Sequence, residues 1–331
     1  MAKKEKKNNR LSGILGPFSR TNKTTNGQEN DLGFGTKITS DGGRLINRDG
    51  SFNVLRTGVH QWTPYQWLVE MSWLSFFGLI FAFYCISNAV FALLYLAVGI
   101  ENLSGVEPGS FLENFSAAFF FSIQTFTTVG YGAISPISVG TNIIAATGAL
   151  VGLMAFALAT GLFFARFAKP KAQIVFSEHA LITPYQGITS FQFRIANIRN
   201  NRIINLQARV SMSWLEEDKG ALHRRYAFLP LERDTVFLFP LNWTIVHPID
   251  ENSPLYQKSV EELKKMHAEF IILIQGYDET FAQNVHTTSS YTCDELLTDV
   301  RFTRMYHSEK GRTILELDKI DVTIPLPNNA Q

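Results

Sequence analysis

Two long runs of apolar residues dominate the hydrophobic pattern of this chain. The first, residues 71–100, holds 30 residues without a charged side chain, and the second, residues 141–165, holds 25. Because about 20 apolar residues cross the hydrocarbon core of a bilayer as a helix, each run is long enough to span a membrane. The pattern therefore predicts an outer helix at about residues 72–99 and an inner helix at about residues 141–168.

A shorter apolar run lies between the two predicted spans. Residues 115–129 are too few to cross a bilayer and return, and this intermediate length is typical of re-entrant segments. We predict a re-entrant helix at about residues 111–127, followed by a loop at residues 128–132. Residues 72–169 then form one membrane domain with both of its ends on the same side.

The chain before the first span is polar and then aromatic. Residues 1–43 are rich in Lys, Asn, Gly and Thr, a composition typical of disordered segments. Residues 44–71 hold a short strand and then the sequence HQWTPYQWLVEM, which predicts an amphipathic helix lying in the membrane interface. Pro64 suits the first turn of that helix, with Thr63 as its cap.

The C-terminal half changes to a strand pattern. From Leu206 to Trp214 apolar and polar residues alternate, as in a half-buried strand. Short strands separated by Gly, Pro, Asn and Asp predict an antiparallel β-sandwich at residues 170–322, followed by a tail at residues 323–331. The predicted strands include residues 188–197, 206–214, 224–229, 236–239, 269–275, 284–291 and 314–317, with one short helix at residues 259–268.

Charge is distributed unevenly along the chain. The formal net charge is +1, yet no Lys or Arg lies between Arg56 and Arg166. Basic residues flank the two spans on one side, whereas every charged residue in the loop between the spans is acidic. By the positive-inside rule, both termini of this multi-pass chain are predicted to be cytoplasmic, in the cell's inner (plasma) membrane. No span is rich in Arg, which excludes a built-in voltage sensor.

The re-entrant segment ends in the sequence TTVGYG, residues 127–132. A dehydrated cation needs several oxygens around it, and backbone carbonyls supply them when the backbone alternates between right-handed and left-handed conformations. Gly130 and Gly132 permit this alternation because they lack a Cβ. Four copies around an axis form a potassium selectivity filter. K+ is predicted to bind at Thr128, Val129, Gly130 and Tyr131.

Two further features of this segment complete the predicted filter. The side chains of Val129 and Tyr131 are predicted to turn away from the axis and pack against the re-entrant helix. The negative C-terminal end of that helix points toward a cavity and favours cations there. Thr127 and Gln124, just before the filter, are its predicted supports.

Several segments in addition to the filter resemble the inward-rectifier potassium channel family, particularly its bacterial members. They are AFFFSIQTFTTVGYG (118–132), FFARFAKPKA (163–172), FRIANIR (193–199), TIVHPIDENSPLY (244–256) and SSYTCDEL (289–296). The resemblance implies a helical pore domain of two transmembrane helices, a pore helix and a filter. It also implies a C-terminal cytoplasmic immunoglobulin-like β-sandwich and assembly as a homotetramer.

The resemblance assigns roles to positions on the inner helix. Phe156 matches the cavity position that is acidic in strongly rectifying members, Gly161 a proposed bending point, and Phe164 the bulky residue that closes the helix bundle. Basic positions beyond the span match contacts with anionic, phosphoinositide-like lipid head groups, as clustered bases there also suggest. These basic positions are Arg166, Lys169 and Lys171.

Two positions depart from the family pattern. Gln124 stands where most relatives carry a Glu behind the filter, and Asn205 stands where strong rectifiers place a cytoplasmic-pore acid. Together with the apolar Phe156, Asn205 predicts weak block by polyamines; Ba2+ is the other candidate blocker.

Other functions remain as alternatives at this point. Because Gln124 replaces the usual Glu, a less selective cation channel is one alternative, and a non-conducting membrane receptor with a ligand-binding β domain is another. An enzyme is not expected, since nothing around Cys293, His307 and Asp299 resembles a nucleophile loop. No cofactor other than potassium ions in the filter and no nucleic-acid partner is expected.

Overall fold

The computed structural model describes residues 32–35, 43–58, 63–168, 172–218 and 220–326. The chain folds as two units. The helical unit comprises Leu55–Ala172 and Thr280–Val285, and the β unit comprises Gln173–Glu279 and His286–Gln331 together with the N-terminal segment up to Val54.

The described residues of the helical unit form four α-helices and a short two-stranded sheet. Among the described residues, α2 and α4 are long and apolar enough to cross a membrane, with a mean hydropathy of 2.1 each. α2 and α4 lie within two residues of the bounds expected from the hydrophobic runs, and α3 ends one residue before its expected end. The elements are α1 (Pro64–Glu70), α2 (Trp73–Val98), β1 (Leu103–Ser104), α3 (Phe111–Phe126), β2 (Ser135–Pro136) and α4 (Val139–Phe167).

Side-chain caps set where these helices begin. Ser110 and Glu113 form a capping box at the start of α3, in which the backbone N–H of Ser110 donates to Glu113 Oε2 at 2.8 Å. Ser138 caps α4 in the same way with Thr141. At α1, Pro64 occupies the first turn as expected, but the cap predicted for Thr63 is wrong. Its side chain makes no capping hydrogen bond, because its backbone is held at φ −115° and ψ 74°.

The described part of the β unit contains two five-stranded sheets and two small two-stranded sheets. The first sheet has the order β11-β10-β6-β7 with β8 on β6, and the second has the order β12-β4-β5-β3 with β9 on β5. The strands of the first sheet are β6 (Ile203–Asp218), β7 (Ala221–Leu229), β8 (Thr235–Leu238), β10 (Glu269–Asp278) and β11 (Gln283–Thr292). Those of the second are β3 (Ile174–Phe176), β4 (Ala180–Tyr185), β5 (Ile188–Asn197), β9 (Asn242–Ile249) and β12 (Leu296–Thr298).

Aromatic side chains pack the two sheets against each other. Phe191 on β5 stacks on Phe270 of β10 with ring centroids 4.4 Å apart, and Phe193 meets Tyr291 of β11 at 5.6 Å. All four rings are buried. Side chains that interdigitate between two sheets in this way form the core of a sandwich. The sandwich predicted from the alternating pattern is therefore confirmed.

One strand pair departs from the antiparallel arrangement. β12 lies parallel to β4, with Leu296 opposite Ala180. The reason is that the chain leaves β11 in the first sheet, turns through the short 3-10 helix Cys293–Glu295, and enters the second sheet beside β4. The alternation of polar and apolar residues carries no information about this change of sheet.

Two small two-stranded sheets and one short helix complete the described part of the β unit. The predicted strand at residues 314–317 is displaced, since β15 ends at Leu315 and a 3-10 turn follows. The expected short helix at residues 259–268 forms over a narrower range, and Ser259 caps it. These elements are α5 (Val260–Lys265), β13 (Val300–Phe302), β14 (Tyr306–Glu309), β15 (Arg312–Leu315) and β16 (Thr323–Pro325).

The segment from Gly43 to Val54 is attached to the β unit by a buried carboxylate. Glu269 accepts hydrogen bonds from the backbone N–H groups of Leu45 at 2.7 Å and Ile46 at 3.1 Å. Arg44 forms an ion pair with Glu295 at 2.9 Å. Burial opposes ionisation of Glu295, but hydrogen bonds from the Thr292 N–H, Arg48 and Arg44 outweigh it and hold the pKa of Glu295 below its ordinary value.

Candidate functional site

The backbone at the end of α3 alternates in handedness. Thr128, Gly130 and Gly132 have φ angles of 59°, 55° and 81°, whereas Val129 and Tyr131 between them are not in the positive-φ region. The two glycines are where the sequence predicted left-handed backbone. Thr128 is a third left-handed position that the sequence did not indicate, because threonine rarely adopts this conformation. The alternation is the one needed to direct successive carbonyls to one side.

Hydrogen bonds from the filter return to the last turn of α3. The N–H groups of Val129 and Gly130 donate to the Gln124 carbonyl at 2.9 and 3.3 Å, and the N–H of Thr128 donates to the Thr125 carbonyl at 3.1 Å. The helix thereby uses its otherwise unpaired C-terminal carbonyls to hold the filter. Gln124 thus contacts the filter through its main chain.

Thr127 occupies the junction between helix and filter. Its hydroxyl donates to the Ile123 carbonyl at 2.7 Å, and its backbone N–H donates to the same carbonyl at 2.9 Å. Both bonds fix the last turn of α3 at the point where the filter leaves it. This geometry fits the supporting role that the sequence suggested for Thr127.

The filter side chains are exposed in a single chain. Val129 is 53% and Tyr131 79% exposed. An added Cβ at Gly130 or Gly132 would meet nothing within 4 Å. The packing predicted for Val129 and Tyr131 against the pore helix stays a prediction for the assembled filter, since a single chain leaves both side chains exposed.

α2, α3 and α4 line an apolar cavity of about 800 Å³ that is partly open to the surroundings. Thr127 and Thr128, where the filter leaves α3, and Phe156 on α4 contribute to its lining. Phe156 is 73% and Phe164 74% exposed on α4. An added Cβ at Gly161 would meet no neighbouring atom within 4 Å outside its own helix turn, so no other element packs against Gly161 within one chain.

A different glycine on α4 makes a close backbone contact with the pore helix. A Cβ on Gly152 would lie 2.0 Å from the carbonyl oxygen of Phe126, the last residue of α3. A Cβ on Gly148, one turn earlier, would lie 3.6 Å from the ring of Phe91, an ordinary contact distance. Sequence reasoning missed this contact. The signal was present as the G-x-x-x-G spacing of Gly148 and Gly152, which is typical of closely packed membrane helices.

The three basic residues predicted to bind lipid differ in what the structure describes. Arg166 donates from Nη1 to the Val69 carbonyl at 3.1 Å and from Nη2 to the Met71 carbonyl at 2.7 Å. Its guanidinium lies 4.5 Å from the ring centroid of Trp73. Arg166 therefore caps the C-terminal end of α1. Lys169 and Lys171 lie outside the described residues.

Asn205 lies at an irregularity in β6. It is exposed, its φ angle is 51°, and the register with β10 shifts between Gln275 and Tyr277 opposite this point. Asn adopts left-handed backbone more readily than most residues do. The left-handed backbone at this bulge therefore favours an Asn at position 205, independently of its lack of charge.

Cys293 and His307, two of the residues considered for an enzyme active site, each contact another residue. The Cys293 thiol donates to the Ala268 carbonyl at 3.3 Å, and burial raises the pKa of Cys293 to about 11. A thiol with that pKa stays protonated at neutral pH and is a poor nucleophile. His307 lies 3.5 Å from Glu316. In the described part of the chain, no three or more His, Cys, Asp or Glu residues are grouped to hold a metal ion.

Two family models match the two units of the chain. The model described as Ion channel matches residues 79–169, and the model described as Inward rectifier potassium channel C-terminal domain matches residues 174–329. The first range contains the filter, most of α2 and all of α4. The second contains the sandwich.

Curated relatives match over most of their length. The inward rectifier potassium channel Kirbac3.1 of Paramagnetospirillum magnetotacticum is 38% identical over 282 residues, which cover 83% of this chain and 94% of that protein. The G protein-activated inward rectifier potassium channel 3 of Mus musculus and that of Rattus norvegicus are each 28% identical over 309 residues, covering 86% of this chain and 78% of theirs.

Fold, filter and relatives together define a membrane ion channel subunit with a cytoplasmic-type β-sandwich. The chain belongs to the inward-rectifier potassium channel family and is similar to a bacterial member. The fold class and the family that the sequence suggested are confirmed. Its function is potassium conduction, and nothing in the fold or the relatives favours the receptor alternative.

Proposed function

We propose that four copies of this chain surround one axis and that residues 128–132 of each copy form the K+ selectivity filter. The observation that carries this proposal is the left-handed backbone at Thr128, Gly130 and Gly132. Such alternation allows consecutive carbonyls to replace the hydration shell of K+. No cofactor takes part beyond the permeant ions.

The partial filter and the exposed aromatic side chains of a single chain support a homotetramer. One loop supplies a quarter of a filter, and the Tyr131 side chain is 79% exposed. The cavity-facing Phe156 and the bundle-closing Phe164 are also exposed. Neighbouring copies would cover these side chains, and Phe164 of four chains would form the gate, with Gly161 as the bending point. In this assembly both termini lie in the cytoplasm and the spans lie in the cell's inner (plasma) membrane.

The proposed function is tested with purified protein in liposomes. Uptake of K+ and of Na+ is measured separately, with and without Ba2+, which resembles K+ in size but carries twice the charge. K+ uptake that exceeds Na+ uptake and stops with Ba2+ is expected. Equal uptake of the two ions would favour the less selective cation channel, and a detergent-corrected mass matching a dimer would reject the tetramer.

Lipid regulation is proposed at the basic residues that follow α4. Each basic residue near an anionic surface contributes about 1 kcal/mol of attraction. Replacing Lys169 and Lys171 with Gln is therefore expected to raise the anionic-lipid content needed for a half-maximal effect on flux by roughly tenfold or more. Adding Arg166→Gln would weaken the response of flux to anionic lipid further. It would also remove the hydrogen bonds from Arg166 to the C-terminal end of α1.

The lipid titration compares liposomes of increasing anionic-lipid content. Lys310→Gln is the matched control, because Lys310 lies on an exposed β-hairpin and is 90% exposed. An unchanged titration in the triple variant of Arg166, Lys169 and Lys171 would reject the lipid site.

Rectification is expected to be weak. Strong polyamine block needs carboxylates on the pore axis, where four charges act in a poorly screened space. Phe156 and Asn205 supply none. Phe156→Asp is expected to strengthen spermine block of outward current by roughly tenfold or more, and the neutral Phe156→Asn is its control. Steep, high-affinity spermine block in the native channel would contradict this account.

A further inference from the structure

A polar pair is buried between the outer helix and the pore helix. Asn88 on α2 is 0% exposed and Ser122 on α3 is 3% exposed. The Ser122 hydroxyl donates to Asn88 Oδ1 at 2.8 Å, and Asn88 Nδ2 donates to the Tyr84 carbonyl at 2.9 Å. Both partners lie in the helical unit, and neither belongs to the filter, the cavity lining or the lipid site.

The surroundings of this pair are apolar. The helix contact around it consists of buried side chains that include Phe91, Tyr95 and Phe121. A polar side chain in a membrane helix is costly unless it is paired, and such residues are often functional. The pairing satisfies the hydroxyl of Ser122, but a cluster of apolar side chains would have packed these helices without that cost.

The pair sets how the two helices are rotated and how far one is shifted along the other. Tyr84 and Asn88 are one helical turn apart on α2, and Ser122 and Phe126 are one turn apart on α3. The Tyr84 ring packs edge-on against the ring of Phe126 at 5.8 Å. These two contacts join the helices at successive turns. The hydrogen bond is the directional one, because it tolerates little rotation of either helix.

This contact is on the same helix as the carbonyl that holds the filter, and close to it in sequence. Ser122 is two residues before Gln124, whose carbonyl accepts the N–H groups of Val129 and Gly130. Phe126 is the last residue of α3. A rotation of α3 about its axis would therefore move the carbonyl that holds the filter backbone.

We propose that Asn88 is a positioning residue for the selectivity filter. Through its hydrogen bond to Ser122 it fixes the rotation of the pore helix, and thereby the placement of the filter carbonyls. This inference rests on the proposed function of residues 128–132. It assigns to the outer helix a role in ion selection, carried by one polar side chain.

Two variants separate positioning from simple stabilisation. Asn88→Leu or Ser122→Ala alone leaves one buried polar group without its partner, which lowers stability whatever the role of the pair. The double variant Asn88→Leu/Ser122→Ala removes both polar groups, so the cost of an unpaired group disappears. A purely structural pair would then be replaced without loss, whereas a positioning pair would not.

The experiment measures thermal stability of the assembled protein, the K+ to Na+ flux ratio and the Ba2+ concentration for half-inhibition. In the double variant, stability is expected to return close to the wild-type value. Its Ba2+ half-inhibition is expected to differ from the wild-type value by at least about threefold, with a lower K+ to Na+ ratio. Ser116→Ala is the matched control on the same helix, since the Ser116 hydroxyl is exposed and bonds within α3.

The result that overturns the proposal is a double variant with wild-type Ba2+ inhibition and flux ratio. If Asn88→Leu does not assemble, Ser122→Ala carries the same test, because it removes a single oxygen atom. Ser122→Thr keeps the hydroxyl and is expected to keep the wild-type Ba2+ concentration for half-inhibition, whereas Ser122→Ala is expected to shift it. A wild-type protein without K+ selectivity would instead refute the proposed function itself.

Discussion

Gly130→Ala is expected to abolish K+ flux. Gly130 has a φ angle of 55°, and left-handed backbone costs an L-residue roughly 1–2 kcal/mol. Four copies in one pore together disfavour the conducting filter by at least about 4 kcal/mol, which lowers its population by roughly a thousandfold. Space is not the obstacle, since an added Cβ meets nothing within 4 Å in one chain. The measurement is K+ uptake into liposomes at matched protein content.

Gly187→Ala is the matched control for this variant. Gly187 has a φ angle of 87° in the turn between β4 and β5, and an added Cβ there also meets nothing within 4 Å. The same backbone strain is thus placed far from the filter in sequence, and K+ flux is expected to persist. Normal, K+-selective flux in Gly130→Ala would refute the assignment of residues 128–132.

Gly152→Ala is expected to destabilise the assembled channel. The added Cβ would lie 2.0 Å from the Phe126 carbonyl oxygen and 2.8 Å from its carbonyl carbon, so α4 must move away from the pore helix. Overpacking of this kind typically costs 1–3 kcal/mol at each site. The contact occurs once in each chain, so its loss repeats in every subunit. Heating followed by size-exclusion chromatography is expected to reveal loss of the assembled species at lower temperature.

The control for Gly152 is Gly161→Ala on the same helix. Gly161 also lies within α4, but nothing stands within 4 Å of an added Cβ, so its assembled species is expected to survive heating as the wild type does. Equal thermal behaviour of Gly152→Ala and wild type would contradict the close contact between α4 and α3.

The membrane helices and the filter could be predicted from sequence because their physics is local. The length and apolarity of the runs determine that α2 and α4 can span a bilayer. The glycines of TTVGYG determine where the backbone can turn left-handed. The left-handed Thr128 was not predictable in this way, because its conformation is imposed by hydrogen bonds to the end of α3.

Contacts between helices could not be predicted from the sequence. Which face of α2 meets α3 depends on the rotation of both helices, so Asn88 and Ser122 could not be paired from their positions. The same holds for Arg166, whose charge suggested lipid, whereas its guanidinium donates to the last carbonyls of α1. Of these contacts, the sequence indicates only the one at Gly148 and Gly152, because their G-x-x-x-G spacing is typical of closely packed membrane helices.

In the β unit, long alternating strands were predictable and short ones were not. β5 and β6 bury enough alternating side chains to show a period of two. β9 contains Pro248, which argues against a strand, yet it pairs with β5 along eight residues. β12 has three residues, too few for any period.

The most direct test of the central claim is to locate the permeant ion in the filter. Crystals of the assembled protein would be grown in K+ and then soaked in Tl+, which mimics K+ and scatters anomalously. The account predicts anomalous peaks on the four-fold axis, between the carbonyl oxygens of successive filter residues from Thr128 to Tyr131. Carbonyls of residues 128–132 directed away from a common axis, with no anomalous peak among them, would contradict it.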